Sequence, residues 1–347
     1  MDLFALTRAL VDIESTTPSE GRVSEFLYQH LAPMANRFSG KLERMHVETG
    51  RENIFVSFGE PHVTLSTHMD TVPPFFASSE DETHIRGRGS CDAKGIIASM
   101  IHAAQQLLES GTKNIGLLFL VGEERNSAGA LAAAKISRGT KYIINGEPTE
   151  NRLALGSKGS LRYEVTARGR MAHSAYPELG ESAIEKLLDV LNDLRHMPLP
   201  SDPLLGASTL NIGIIEGGRA PNVIPDHARA EILIRLVADP APLKQAVTKI
   251  CAGCVEAEEV LCIPAVRLGA LDGYQTTVAS FTTDIPAFAG AWGTPFLIGP
   301  GTIHVAHTSE ERVAKKDLRD AVEIYMRMVK QLQSPEQIQS SSIGIAS

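Results

Sequence analysis

The sequence predicts an α/β protein with a mostly parallel sheet flanked by helices, interrupted by an inserted α+β unit built on an antiparallel sheet. Three observations carry this expectation. Up to about Leu155, continuous apolar runs of strand length alternate with helical patterns, which is how a sheet buried on both faces reads. Beyond Leu155 the strands alternate strictly between apolar and polar residues, so one face of their sheet is wet. From about Gln275 the first pattern returns. The expected division is therefore a discontinuous domain, residues 1–156 and 269–347, around an insertion at 157–268. Two domains suit a chain of 347 residues.

The elements follow in order. Residues 1–36 read as two amphipathic helices, the second from near Glu20 to Ala35 with Val23, Phe26, Leu27 and Leu31 on one face. Strands are expected at 53–58 and 63–67, a buried helix at 93–109, and a central strand at 115–121. A helix at 127–136 and a strand at 142–145 close the first half. In the insertion, LRYEVTARG (161–169) alternates, a helix at 182–195 has Ile184, Leu187, Leu188, Leu191 and Leu194 as its stripe, and strands follow at 209–215 and 227–236. A helical pattern then runs from Ala241 to about Val260. The last segment reads as a helix at 278–292, a strand at 295–298 and a helix at 315–331, and the Ser- and Gln-rich tail is expected to fray.

Composition narrows the function. A net charge of −8 argues against nucleic acid or an anionic membrane surface as partner, because either calls for clustered Lys and Arg. A small soluble ligand is the better expectation. No apolar run approaches the roughly 18 residues of a membrane span. The first fifteen residues carry charges at helical spacing and read as an amphipathic helix, not a signal peptide. The four cysteines (Cys91, Cys251, Cys254, Cys262) are too few and too clustered for a disulfide framework, so a cytoplasmic protein is expected. Cys251 and Cys254 fall within a helical pattern with no fourth ligand following, and read as small core residues. Gly87-x-Gly89 lacks the preceding strand and third glycine of a dinucleotide fingerprint.

The chemistry gathers around residues 64–95. An apolar run ends in His68-x-Asp70, and Asp92 follows a glycine-rich loop. Glu123 and Glu124 lie just past the strand at 115–121, Glu147 follows the strand at 142–145, and His307 follows the strand at 295–298. Each therefore sits past the C-terminal end of an expected parallel strand, the edge at which open α/β sheets place their sites. A lone histidine at a strand end is ordinarily structural, and paired glutamates ordinarily belong to a solvated loop. Convergence on one edge separates these from that reading. Two imidazoles and several carboxylates suit a dinuclear site for zinc or a similar cation, with metals roughly 3.5–4 Å apart. One of the two adjacent glutamates, left outside the metal shell, supplies a general base.

The motifs HMDTVP (68–73), RGRGSCDAKG (86–95), GEERNSAGA (122–130), GEPT (146–149), AHSAYP (172–177), NVIPD (222–226) and GPG with AHTSEE (299–311) occur in this order. Together they resemble the dinuclear zinc aminoacylase and carboxypeptidase family, which includes acetylornithine deacetylase, succinyl-diaminopimelate desuccinylase and carboxypeptidase G. The match runs from about residue 5 to 332. The resemblance implies two divalent ions, zinc foremost with cobalt or manganese as substitutes. Asp92 would bridge them, His68 and Glu147 would hold one, and Glu124 and His307 the other. Asp70 would orient the His68 imidazole, and Glu123 would take a proton from the bridging water and return it to the leaving amine. The insertion would act as lid and homodimer interface, with His173 reaching the partner subunit's site to stabilise the oxyanion. Asn222, Arg235 and Lys158 would contact the substrate, and the Gly301 backbone would line its pocket. A cis peptide is expected at Asp92–Ala93.

GEPT followed by SKGSLRYEV resembles the acetylornithine deacetylase and desuccinylase branch most, so removal of an acyl group from an N-acyl amino acid is the leading expectation. A desuccinylase, a carrier-protein-linked lysine or ornithine hydrolase, and a carboxypeptidase or dipeptidase would share the same metal site. From another class, a non-catalytic metal- or peptide-binding relative is disfavoured because Glu123, which would bind no metal, is present alongside the five expected ligands.

Overall fold

The computed structural model describes residues 1–334, and the tail expected to fray lies outside the described residues from position 335 onward. The chain divides into two compact units. One comprises Met1–Leu155, Leu268–Thr277 and the residues from Thr283; the other comprises Gly156–Arg267 with Val278–Thr282.

The chain opens with α1 (Leu3–Val11) and α2 (Gly21–Arg37), then β1 (Lys41–Glu48), β2 (Arg51–Phe58) and β3 (Val63–His68). There follow α3 (Lys94–Glu109), β4 (Ile115–Leu120), α4 (Ala128–Ala134), β5 (Tyr142–Asn145) and β6 (Leu153–Ser157). The second unit supplies β7 (Gly159–Arg168), α5 (Ala183–His196), β8 (Thr209–Gly217), β9 (His227–Leu236), α6 (Ala241–Cys251) and β10 (Glu256–Ile263). The chain then adds β11 (Thr294–Leu297) and α7 (Lys315–Gln333) to the first unit. Local signals set several ends: the Asp2 carboxylate accepts the N–H groups of Phe4 and Ala5 at the start of α1, and Ser182 Oγ accepts that of Glu185 in α5.

In the first unit the sheet runs β1-β2-β4-β3-β5-β11-β6. β4, β3, β5 and β11 are parallel neighbours, and β1, β2 and β6 are antiparallel additions. Every residue of β3 and β4 is buried, as strands covered on both faces must be. Val63, Leu65, Leu117 and Phe119 face a core with Leu27, Ile97, Met100 and Tyr325 from the helices; Leu118, Leu120 and Ile143 face the other way, onto Ala130, Ala133 and Trp292. The four parallel strands end together at Leu120, His68, Asn145 and Leu297, and this shared edge carries the site.

The second unit is a four-stranded antiparallel sheet, β8-β9-β7-β10, with α5 and α6 on one face. Leu161, Tyr163, Val165 and Ala167 of β7 meet Leu187, Leu191 and Leu194 of α5 in its core. A short ribbon pairs His173 with Val223 and Ala172 with Ile224.

Two expected elements differ. The helix expected over 241–260 stops at Cys251; Gly253 takes a left-handed φ of 76°, and EAEEVLCI then extends along β7 as β10. Its residues have fair helix propensity, and edge pairing onto a formed sheet outweighs it. The helix expected over 278–292 is absent. That segment has a strand at Thr276–Ala279 and one 3-10 turn at Ile285–Phe288, stopped by left-handed Ala289 and Gly290. Strands β1 and β6, and the small ribbon of Ser79–Glu80, His84–Arg86 and Arg312–Ala314, were not expected from the sequence.

Candidate metal centre

His68 is the last residue of β3. Its Nδ1–H donates to the Asp70 carbonyl oxygen at 3.0 Å, which orients the ring and points Nε2 at Asp92. Nε2 lies 3.0 Å from Asp92 Oδ1, while Asp92 Oδ2 lies 3.4 Å from His307 Nε2. One carboxylate thus offers each of its oxygens to a different imidazole. His307 Nε2 also lies 3.0 Å from Glu124 Oε2. The ligand atoms of His68, Asp92 and Glu124 fall within 4.8 Å of one another.

Glu147 follows β5 through Gly146, whose N–H donates to the Ser66 carbonyl and whose carbonyl accepts from Thr67 Oγ1 at 2.8 Å each. The Glu147 side chain is 3% exposed and its Oε1 has no hydrogen-bond partner among the described residues. A buried, orphaned carboxylate oxygen costs several kcal/mol on the usual scale unless something holds it. A cation does so. The donor set, imidazole Nε2 atoms and carboxylate oxygens gathered where His68, Asp92 and Glu147 are buried, fits a borderline divalent metal.

Asp70 organises the neighbourhood. Its side chain accepts Thr17 Oγ1–H at 2.6 Å, the Glu123 N–H at 3.1 Å and the Glu124 N–H at 3.2 Å, and its Oδ1 lies 3.5 Å from His68 Nδ1. It therefore ties the β3 end to the loop after β4. Asn53 braces the same loop, accepting from the Val121 N–H at 3.1 Å and donating to the Gly129 carbonyl at 2.9 Å.

A second brace was not foreseen from the sequence. Glu311, 1% exposed, accepts the N–H groups of Gly89, Cys91 and Asp92 at 2.9, 3.2 and 3.1 Å, and pairs with Arg88 at 2.5 Å. It fixes the backbone that presents Asp92. The Asp92–Ala93 peptide is cis, as the resemblance implies. Thr17 and Asp284 were likewise missed; Asp284 is buried in the same unit, and burial pushes its carboxyl up to about 7. For Glu311 the available signal was a second acid closing the AHTSEE motif; for Thr17 and Asp284 the sequence offers none.

The electrostatics are those of closely spaced acids and imidazoles. Burial pushes the Glu123 carboxyl well above its usual range, and neighbouring Glu147 adds to the rise. Burial likewise raises Glu147 and Glu124. For Asp92, burial opposes ionisation, but hydrogen bonds from His307 and His68 outweigh it and hold the carboxyl low. His307, hydrogen-bonded to Asp92 and Glu124, is pushed up to about 10. Gly301, at φ 81°, packs where a Cβ would stand 2.5 Å from Cys91 Sγ.

The remaining expected residues lie in the second unit. His173 and Asn222 share the short ribbon, where the Ser174 N–H donates to the Asn222 carbonyl at 3.0 Å. The exposed His173 accepts the Ala175 N–H at Nδ1, which leaves its Nε2–H as a donor. Lys158 Nζ donates to the Ala207 carbonyl at 2.7 Å. Arg235, on β9, is partly buried and makes no ion pair among the described residues; burial lowers its basicity.

A sheet whose parallel strands converge their C-terminal ends on two imidazoles and several carboxylates, with an antiparallel unit inserted, defines a class of metal-dependent hydrolase. The profile of Peptidase family M20/M25/M40 matches residues 64–331, and the chain belongs to that family. A Schizosaccharomyces pombe peptidase M20 domain-containing protein is 37% identical over 340 residues, which span 94% of this chain and 84% of that one. A Talaromyces marneffei protein named "Probable carboxypeptidase" is 35% identical, covering 94% and 85%. Among solved structures, a tripeptidase from Staphylococcus aureus has a TM-score of 0.78 at 20% identity, covering 95% of this chain and 97% of that one. An M20 family metallo-carboxypeptidase from Sulfolobus solfataricus has a TM-score of 0.75 at 17% identity, covering 96% and 99%.

Proposed function

We propose that the protein hydrolyses a linear amide whose nitrogen belongs to an amino acid with a free carboxylate, removing the acyl group in the manner of an acetylornithine deacetylase. The observation that carries this reading is the split of Asp92 between two imidazoles, with Glu123, whose N–H is held by Asp70, outside the donor set of His68, Asp92 and Glu124. We assign two divalent ions, zinc foremost, to His68, Glu147, Glu124, His307 and the shared Asp92. Bound there, they supply a water of lowered pKa and polarise the amide carbonyl. The rest of the chemistry belongs to the chain. Glu123, its backbone pinned to Asp70, accepts the proton of the attacking water and delivers it to the leaving nitrogen. His173, with Nε2–H available, donates to the oxyanion. Arg235, whose guanidinium forms no ion pair among the described residues, takes the substrate carboxylate.

Cleavage of a peptide by a carboxypeptidase breaks the same type of bond, and the name of the Talaromyces marneffei relative favours that second reading. We further propose a homodimer through the inserted unit. β8 is an edge strand with Ile215 54% exposed, and Leu188 of α5 is 51% exposed, which suits pairing with a second copy.

The test is hydrolysis of N-acetylornithine, N-succinyl-diaminopimelate, N-acetylmethionine and a dipeptide by zinc- or cobalt-loaded protein. Preference for an acylated amino acid supports the deacylase reading, and preference for the dipeptide supports the carboxypeptidase. Cleavage of none, with metals bound, removes both.

A further inference from the structure

Three buried polar side chains in the first unit are unmatched once the hydrogen bonds of the metal centre are assigned. Ser66 lies on β3 two residues before His68, and Asn145 ends β5 two residues before Glu147. The two are register partners in adjacent parallel strands, so they share one face of the sheet. On that face Leu118, the β4 partner of Ser66, and Ile143 pack against Phe288 and Trp292. Asp284 directly precedes the 3-10 turn that supplies Phe288, and the charges acting on it include His68, Asp70 and Glu124 at the C-terminal strand ends. It therefore comes over the same face at the same end.

Ser66 is 0% exposed, and Asn145 and Asp284 are each 1% exposed. Even so, Ser66 Oγ, both side-chain polar atoms of Asn145 and both carboxylate oxygens of Asp284 have no hydrogen-bond partner among the described residues. Ser127 stands near enough to favour the ionised form of Asp284 without closing a hydrogen bond. Folded proteins leave few such groups unmatched, because each carries its full desolvation penalty.

Charge favours a cation over a water molecule here. Water suits a hydroxyl and an amide, but Asp284 is a buried acid on which Asp70, Glu123, Glu124 and Glu147 all act as like charges. The favourable charge beside it is His68, whose imidazole is neutral once it holds a metal. The available donors, a carboxylate, an amide oxygen and a hydroxyl, are all hard oxygens. One carboxylate is little charge for a divalent ion and enough for a monovalent one.

We propose that Ser66 Oγ, Asn145 Oδ1 and the Asp284 carboxylate bind an alkali-metal cation, sodium or potassium, at a site separate from the divalent metal centre. None of the three belongs to the donor set assigned to that centre. The ion offsets the charge of Asp284 and ties the turn at Ile285–Phe288 to the ends of β3 and β5, just short of His68 and Glu147. Its charge balance takes His68 as a metal ligand; the amide-hydrolase reading does not enter.

The test is thermal unfolding of zinc-loaded wild type, Asp284→Asn and Ser66→Ala in sodium, potassium or tetramethylammonium chloride at constant ionic strength. Tetramethylammonium is too large for such a site and controls for salt in general. Wild type is expected to melt roughly 3–6 °C higher in the preferred alkali salt than in the tetramethylammonium salt. Asp284→Asn is expected to lose this increment, and Ser66→Ala to need about tenfold more alkali ion to reach it. A wild type that melts alike in all three salts overturns the proposal and leaves Asp284 as a buried acid that keeps its proton. An increment that survives in Asp284→Asn, or is undiminished in Ser66→Ala, places the ion elsewhere and overturns it too. If Asp284→Asn fails to fold, wild type and Ser66→Ala decide between these results.

Discussion

Asp70 touches more of the site than any presumed ligand does, because its carboxylate gathers a hydroxyl, two backbone N–H groups and the side of an imidazole. Asp70→Ala is therefore expected to weaken metal binding about 10–100-fold, measured by competition with a chromogenic chelator. Glu123→Ala should leave metal content near wild type while lowering kcat about 10²–10⁴-fold. The presumed ligands were legible because a residue at the C-terminal end of a buried strand is placed by the strand itself. Glu311 was not, because its role depends on Gly89, Cys91 and Asp92, some 220 positions away in sequence. His307 sets a pH dependence. Its pKa in the metal-free fold, about 10, lies above the unfolded value of 6.5, so its pairing with Asp92 and Glu124 contributes stability fully below about pH 6.5 and loses it as pH rises through about 10. The same protons compete with metal, so metal affinity should rise with pH between 6 and 10, with protons released on binding. Calorimetry in two buffers of different ionisation enthalpy measures that release.

At the level of elements, the site depends on loops that leave β3, β4 and β5 and are tied back to the sheet. Asn53 on β2 does this for the loop that carries Glu123 and Glu124, satisfying a backbone donor and a backbone acceptor at once. Asn53→Ala leaves both buried groups unmatched and is expected to cost about 1–3 kcal/mol, read from urea unfolding at unchanged m value. The buried parallel strands and the amphipathic α5 were legible because burial on both faces, or on one stripe, writes directly into the residue pattern. β10 and the 276–292 segment were not. EAEEVLCI reads as helix in isolation and is strand only because β7 offers an edge, while Pro286 and Gly290 limit the later segment to one turn. β1 was missed for the same reason: its burial alternates poorly, and it exists through its pairing with β2.

For the molecule as a whole, the strand order places every presumed ligand on one unit, while His173, Asn222, Lys158 and Arg235 belong to the other. Sequence motifs gave the order of these residues, and the strand topology gave their convergence. Light scattering after gel filtration is expected to give about twice the 37.4 kDa chain mass, and Ile215→Asp to shift the protein toward one chain. The most direct measurement is parallel metal analysis and amide hydrolysis for zinc-loaded wild type and Glu123→Ala. The expected result is about two metals per chain in both proteins, with hydrolysis of an N-acyl amino acid or peptide by wild type and a loss of about 10²–10⁴-fold in the variant. A Glu123→Ala protein as active as wild type, or a wild type that holds its metals and cleaves no amide, would contradict the assignment of Glu123 and of the site as a hydrolytic centre.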